Sequence, residues 1–194
     1  MTETAFDLNL ENHFLIAMPA MVDPIFGGSV VYICEHNDEG ALGVIINKAT
    51  DLTADMLFER LDLKLEICAG SQTPGARPIM FGGPVQIERG FILHTLPGEF
   101  SSMIKVSDEV ALTTSKDILE AVAQGNSPEK MLIALGCSGW SAGQLEAEIA
   151  RNGWLTVRAD PGVIFDVPVP ERFSAAMKLL GFDASMLTGE AGHA

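Results

Sequence analysis

Three observations predict an α+β fold for this chain of 194 residues. Short apolar, β-branched runs crowd its first half, strands outnumber helices, and the two do not alternate as a doubly wound sheet requires. Hydrophobic residues make up 47% and charged residues 20%, a globular composition that excludes wholesale disorder. A chain this long buries roughly 70% of its unfolded surface, so one domain over 1–194 is expected, with 1–11 and 184–194 as flexible ends.

The elements follow in order. His13 to Met18 is a nearly continuous apolar run, suited to a buried strand. Ser29 to Cys34 and Ala41 to Asn47 are β-rich and flank Asn37-Asp38-Glu39-Gly40, which predicts a hairpin with Gly40 at positive φ. Thr53 caps a helix to about Arg60, with Met56, Leu57 and Leu61 as its apolar stripe. Ala69 to Gly75 reads as a loop. Pro78 to Phe81 and Gly90 to Leu96 read as strands, and Val106 to Leu112 as a weaker one. A helix over 116–124, capped by Thr114 or Ser115, ends at Gly125. Met131 to Leu135 is an apolar strand, followed by a helix from about Ala142 to Asn152 with Gly153 as its C-cap and Trp154 as the apolar clasp. Arg158 to Phe165 is expected to be extended, and Val167-Pro168-Val169-Pro170 cannot continue a central strand. A last helix over 171–180 stops at Gly181.

Charge narrows the function. Twelve basic against 26 acidic residues leave a net charge of −14, and no two basic residues are adjacent. Direct nucleic-acid binding and docking on anionic lipid are therefore not expected. No apolar run reaches the ~18–20 residues of a membrane span. The N-terminus carries acids where a signal peptide carries Lys or Arg, which predicts a cytoplasmic protein. The three cysteines, Cys34, Cys68 and Cys137, are too widely spaced to suggest a disulfide framework in that compartment. Neither CxxC nor His-Glu-x-x-His occurs, so no metal or other cofactor is expected.

Gly139-Trp140-Ser141-Ala142-Gly143 matches the G-x-S-x-G elbow of serine hydrolases, with Asp160 or Asp166 and His193 in the right chain order. A capping box competes for the same serine, because Gln144 stands three residues on. His193 is one residue from the C-terminus, a poor place to hold a base within about 3 Å of a hydroxyl. Cys137, ahead of the third helix, is a thiolate candidate or a small buried hydrophobe, the second being the simpler account. Glu146 and Glu148 are two apart on that helix and face different ways.

A second set of polar residues stands at strand ends and turns. Asp23 lies in the bend Met18 to Pro24, His36 beside Glu35 at the hairpin, and Asn47 and Lys48 at the far end of its second strand. Gly82 and Gly83 could cradle an anion through backbone N–H groups, with Arg89 adding charge. If these seven converge, they form a small-molecule or nucleotide site; otherwise they are turn chemistry.

Several segments agree in order with one family: Phe14 to Pro19, Asp23-Pro24, Glu35-His36-Asn37, Gly40 to Gly43 and Asn47-Lys48. Phe81 to Val85, Arg89-Gly90-Phe91 with His94, Gly139-Trp140 with Gly143 to Glu146, Asn152 to Leu155 and Ala159-Asp160 complete it. The chain resembles the AlgH/YqgE family of bacterial proteins from about Asn12 to Asp183. The resemblance implies a bifurcated mixed sheet folded into a pseudo-barrel with flanking helices. Its members are described as transcriptional regulators linked to alginate production, or as uncharacterised, and it supplies no catalytic residues. The family usually places an aromatic residue at the position of Cys137 and does not reserve position 141 for serine. The expected function is non-enzymatic binding or regulation through a protein partner, with a small-molecule pocket or a Ser141 hydrolase as alternatives.

Overall fold

The computed structural model describes residues 8–64 and 77–181. The expected loop over 69–75, Cys68, His193 and the C-terminal end over 184–194 lie outside the described residues. The stretch expected as a flexible N-terminal end is anchored at Leu10, which is 2% exposed and donates its N–H to Nδ1 of His36 at 3.0 Å.

The fold is α+β, a curled sheet forming a half-barrel, with ten strands and five α-helices among the described residues. Strands β1 (His13–Ala17), β2 (Val30–Asn37) and β3 (Gly40–Ile45) form an antiparallel ribbon, with β2 and β3 as the expected hairpin. Strand β4 (Ala49–Thr53), unrecognised in the sequence, leads into α1 (Ala54–Arg60), and Thr53 caps α1 by accepting from the Met56 N–H. The face of α1 that packs inward is Ala54 and Phe58, with Leu57 and Leu61 of the expected stripe half-buried against the same cluster; Met56 is 44% exposed and does not join them.

Strands β5 (Pro78–Phe81), β6 (Val85–Thr95), β7 (Met103–Lys105) and β8 (Val110–Thr113) follow. Of the weak strand expected at 106–112 only the part from Val110 is strand, as β8, and β7 precedes it, because Val106 and Ser107 turn the chain by bonding Val110. Helix α2 (Asp117–Ala123) begins after Lys116 with no side-chain cap bond; Ser115 spends its hydroxyl on the Asp117 carboxylate. Strand β9 (Met131–Ser141) runs six residues past its expected end. Helix α3 (Gln144–Ala150) ends on Asn152 at φ 58, with the Gly153 N–H reaching back to Glu148 O. The left-handed position is therefore Asn152, one residue before the expected Gly153.

Strand β10 (Trp154–Arg158) pairs with β1. The expected extended segment to Phe165 is instead α4 (Pro161–Phe165), started by the Asp160 carboxylate on the Gly162 N–H with proline in the first turn. A short 3-10 turn (Val169–Glu171) precedes α5 (Arg172–Leu179).

The strand order is β10-β1-β2-β3-β9-β6-β8-β7, with β5 on β9 and β4 on β5. The sheet forks at β9. Its first half carries β5 in parallel at Ala134 and Leu135, and its second half carries β3 antiparallel from Ser138 to Ser141. Strand β6 runs along the other edge of β9. Phe14, Tyr32, Leu93, Leu112 and Met177 belong to the largest apolar cluster, Trp140 and Trp154 to a second, and Phe58, Ile79 and Ile118 to a third. No helix among the described residues is long and apolar enough to cross a membrane.

Candidate functional site

The hairpin end and α3 meet at His36. Its Nδ1 accepts from Leu10, so Nε2 is the donor, 2.8 Å from Glu146 Oε1. Glu35, the expected acid–base partner, instead accepts from the Asn37 side chain. Ser141 is the last residue of β9 and pairs with Gly40. It does not have the positive φ of a strained elbow. Its N–H and its hydroxyl both donate to Gln144 Oε1, at 3.0 and 3.2 Å. Gln144 thus reaches back as a capping box requires, but the Ser141 hydroxyl donates to Gln144 instead of accepting from the helix. Cys137 is buried, and burial pushes its thiol up against the weaker lowering effect of Arg89. A thiol held up this way is a poor nucleophile.

Asp23, Asn47 and Lys48 come together, and all three spend their polar atoms on one loop. Asp23 Oδ1 accepts from Ile25 and Phe26 N–H groups at 2.8 Å each. Asn47 accepts from the Val30 N–H and donates to Gly28 O. Lys48 donates to Ile25 O; partial burial lowers its pKa, and Asp23 opposes that shift.

Gly82 and Gly83 lie at the fork. The Gly82 N–H donates to Leu135 O, and Gly82 O accepts from the Ile45 N–H and the Ser138 hydroxyl. A Cβ on Gly82 would stand 2.2 Å from Gly136 O, and one on Gly83 2.2 Å from Cys137 O. Close approach of backbones requires glycine at both positions. Arg89 binds Gln86 and Thr114 side chains at 3.1 and 2.9 Å and lies over Phe91. The seven candidates therefore divide into a loop clamp, a sheet fork, His36 on β2 bonded to α3, and Arg89 on β6.

Two features escaped sequence reasoning. The first is Glu148 on α3. Its Oε2 accepts both indole N–H groups, from Trp140 at 2.9 Å and Trp154 at 2.8 Å, and its Oε1 accepts from Gln144. Phe26 packs on both indoles beside a hollow of about 300 Å³ that Asp23 and Arg151 also line. The recurring Trp at each end of the α3 segment was the available signal.

The second is a cavity of about 270 Å³ between α1, β5, α2, α4 and the start of α5, with Arg172 in its wall. Arg172 is 8% exposed. Nothing in the sequence around Arg172 announces a buried charge, since a helix-starting Glu-Arg pair ordinarily faces solvent. No group of three or more His, Cys, Asp or Glu among the described residues is arranged to hold a metal ion.

Comparison with known proteins bears on this geometry. The model of the AlgH-like family (DUF179) matches residues 14–185. The UPF0301 protein of Cupriavidus pinatubonensis is 57% identical over 194 residues, covering all of both chains. That of Ralstonia nicotianae is 57% identical over 187 residues, covering 96% of each. The solution structure of the AlgH protein from Pseudomonas aeruginosa matches with a TM-score of 0.76 at 46% identity, covering all of both chains. A crystal structure of a Corynebacterium diphtheriae protein shares the fold at 18% identity and a TM-score of 0.69, covering 89% of this chain and 87% of its own.

Proposed function

The chain belongs to the AlgH-like family, and from that premise we propose that it is a non-enzymatic, cytoplasmic binding protein that regulates through contact with another protein. The observation that carries this reading is the first half of β6. Val85 pairs with Cys137 and Gly90 with Leu135, so five steps along β6 match two along β9, and Gln86 to Arg89 leave the ladder. Gln86 takes φ 48 there, and Val85 and Ile87 are 40% and 59% exposed. Two large apolar side chains on a ribbon outside the β9 register and ahead of the β8 pairing at Ile92 suit a protein contact: a partner's backbone can add along such an edge, and alternate side chains supply selectivity.

The charge supports an indirect route to any effect on transcription, because −14 repels phosphate at every distance that salt does not screen. The hydrolase alternative draws no support from a Ser141 hydroxyl bonded to Gln144. The test is capture of the tagged protein from its own cells at native expression, with nuclease, beside an Ile87→Asp variant. A specific protein that survives nuclease and is lost from the variant supports the reading. A capture identical for both, or sub-micromolar operator binding at physiological salt, overturns it.

A further inference from the structure

Helix α5 begins with a charge inside the protein. Arg172 Nε donates to Val167 O at 2.9 Å, Nη1 donates to Ile46 O at 2.5 Å, and Met80 Sδ stands 3.9 Å from Nη1. A guanidinium has five N–H donors, and Nη2 makes no hydrogen bond among the described residues. Two carbonyl dipoles satisfy part of the group and supply no countercharge. No carboxylate among the described residues lies within ion-pair distance of it. Burial lowers its pKa to about 10, which leaves it charged at neutral pH. A largely buried charge without a counterion is costly, and Nη2, which is not sealed among the buried unpaired atoms, is open to an anion that would complete the group.

The cavity beside it is built for an apolar body. Ala54, Phe58, Ile79, Val122 and Phe165 form its walls. At the rim stand Arg77, whose side chain makes one long bond among the described residues, to Met131 O at 3.5 Å, and Asp166. Asp166 is already neutralised by Lys130, 2.8 Å from both of its oxygens. Arg77, Lys130 and Arg172 against Asp166 give 3 − 1 = +2 in a chain whose net charge is −14. A dry cavity of about 150 Å³ admits benzene. The volume here, about 270 Å³, has room for a ring or short chain together with its acid group.

We propose that this cavity binds a small amphipathic carboxylate, its apolar body between α1 and α2 and its carboxylate on Arg172, with Arg77 drawing the anion in at the rim. A planar guanidinium suits a planar carboxylate, and the apolar walls disfavour a more heavily hydrated phosphate dianion. The site is separate from the β6 ribbon, so either can fail without the other.

The test uses the purified full-length protein. 4-Phenylbutyrate and octanoate are titrated by calorimetry and by NMR, beside 4-phenylbutanol and octylamine. The acids are expected to bind about tenfold or more tightly than the alcohol and to shift the Val167 and Ile79 amides and the Arg172 Nε–H. Ala54→Leu, which fills the cavity, is expected to weaken binding about tenfold, and Arg77→Ser a few-fold with an unchanged melting temperature. The proposal is overturned if neither acid binds at about 5 mM, a free energy near −3 kcal/mol. Equal binding of acid and alcohol, or shifts centred elsewhere, overturns it as well. Should Ala54→Leu fail to fold, the acid–alcohol comparison and Arg77→Ser still decide.

Discussion

Replacing Glu148 with alanine removes the single acceptor shared by both tryptophans of the chain. Trp140 and Trp154 are buried in one apolar cluster, and each buried donor left unpaired costs about 1–3 kcal/mol. Trp140, Trp154 and Glu148 all line the hollow of about 300 Å³ beside Phe26, which admits water, so the cost belongs at the low end of that range for each. The loss of folding stability is then about 2–3 kcal/mol for the pair. Glu148→Gln keeps one amide oxygen with two lone pairs, enough for both indoles but without the charge, and loses about 1 kcal/mol. Urea unfolding followed by tryptophan emission reads both quantities in one experiment, because every emitting indole sits on this carboxylate. Emission of the folded Ala variant should also change, as the charged acceptor is replaced by water. An Ala variant within about 0.5 kcal/mol of the parent, or a folded spectrum identical to it, would refute the assignment of Glu148 as the acceptor that orders this cluster.

Three further outcomes are expected. Gly82→Ala places a methyl 2.2 Å from Gly136 O, against backbone that cannot rotate aside, and should destabilise by about 3 kcal/mol or more in denaturant titration; a loss below about 1 kcal/mol would return Gly82 to the anion-cradle reading. His94 is buried between Thr113 Oγ1 at 2.8 Å and Thr95 O at 3.1 Å, and burial lowers its pKa, so the unfolded chain binds the proton first as pH drops. Stability should therefore be full above about pH 6.5 and decline as pH falls toward the folded pKa, and His94→Gln should remove that part of the slope in unfolding measured at pH 7 and pH 5. Asp117, held low by the Ser115 hydroxyl and the Ser101 N–H, contributes its loss only as pH falls below about 4, outside that window. Ser141→Ala should change stability by less than about 1 kcal/mol, since the hydroxyl is exposed and bonds only Gln144, and a fluorophosphonate probe should label parent and variant equally; selective labelling of the parent would restore the hydrolase.

The elements legible in the sequence are those whose causes are local. Thr53 caps a helix two turns long whatever the sheet does, and Asn37 to Gly40 turn the hairpin by their own side-chain and φ preferences. Gly125 and Gly181 end helices at positive φ for the same reason. Helix α4 was also local: Asp160 followed by Pro161 is a cap and a first-turn proline, a signal outweighed by the β-branched residues around it. Strand β9 was not local. Its last six residues read as a turn and a cap because Gly136 and Gly139 suit turns, and only β3 and β6 on either side make them strand.

The same distinction separates the two kinds of polar residue that sequence reading treats alike. Asp23, Asn47 and Lys48 looked like ligand-binding groups because they are polar and stand at strand ends, yet each finds its partner on the loop 23–30 and is spent there. His36 and Glu146 are joined across 110 positions, and Arg172 and Ile46 across 126. What marks a group as available is therefore the donors left over once backbone has been satisfied, a quantity that no single residue type carries. By that measure half-buried Lys48 has one donor tied to Ile25 O and its charge beside Asp23, whereas Arg172, buried enough to look structural, still has Nη2 to give.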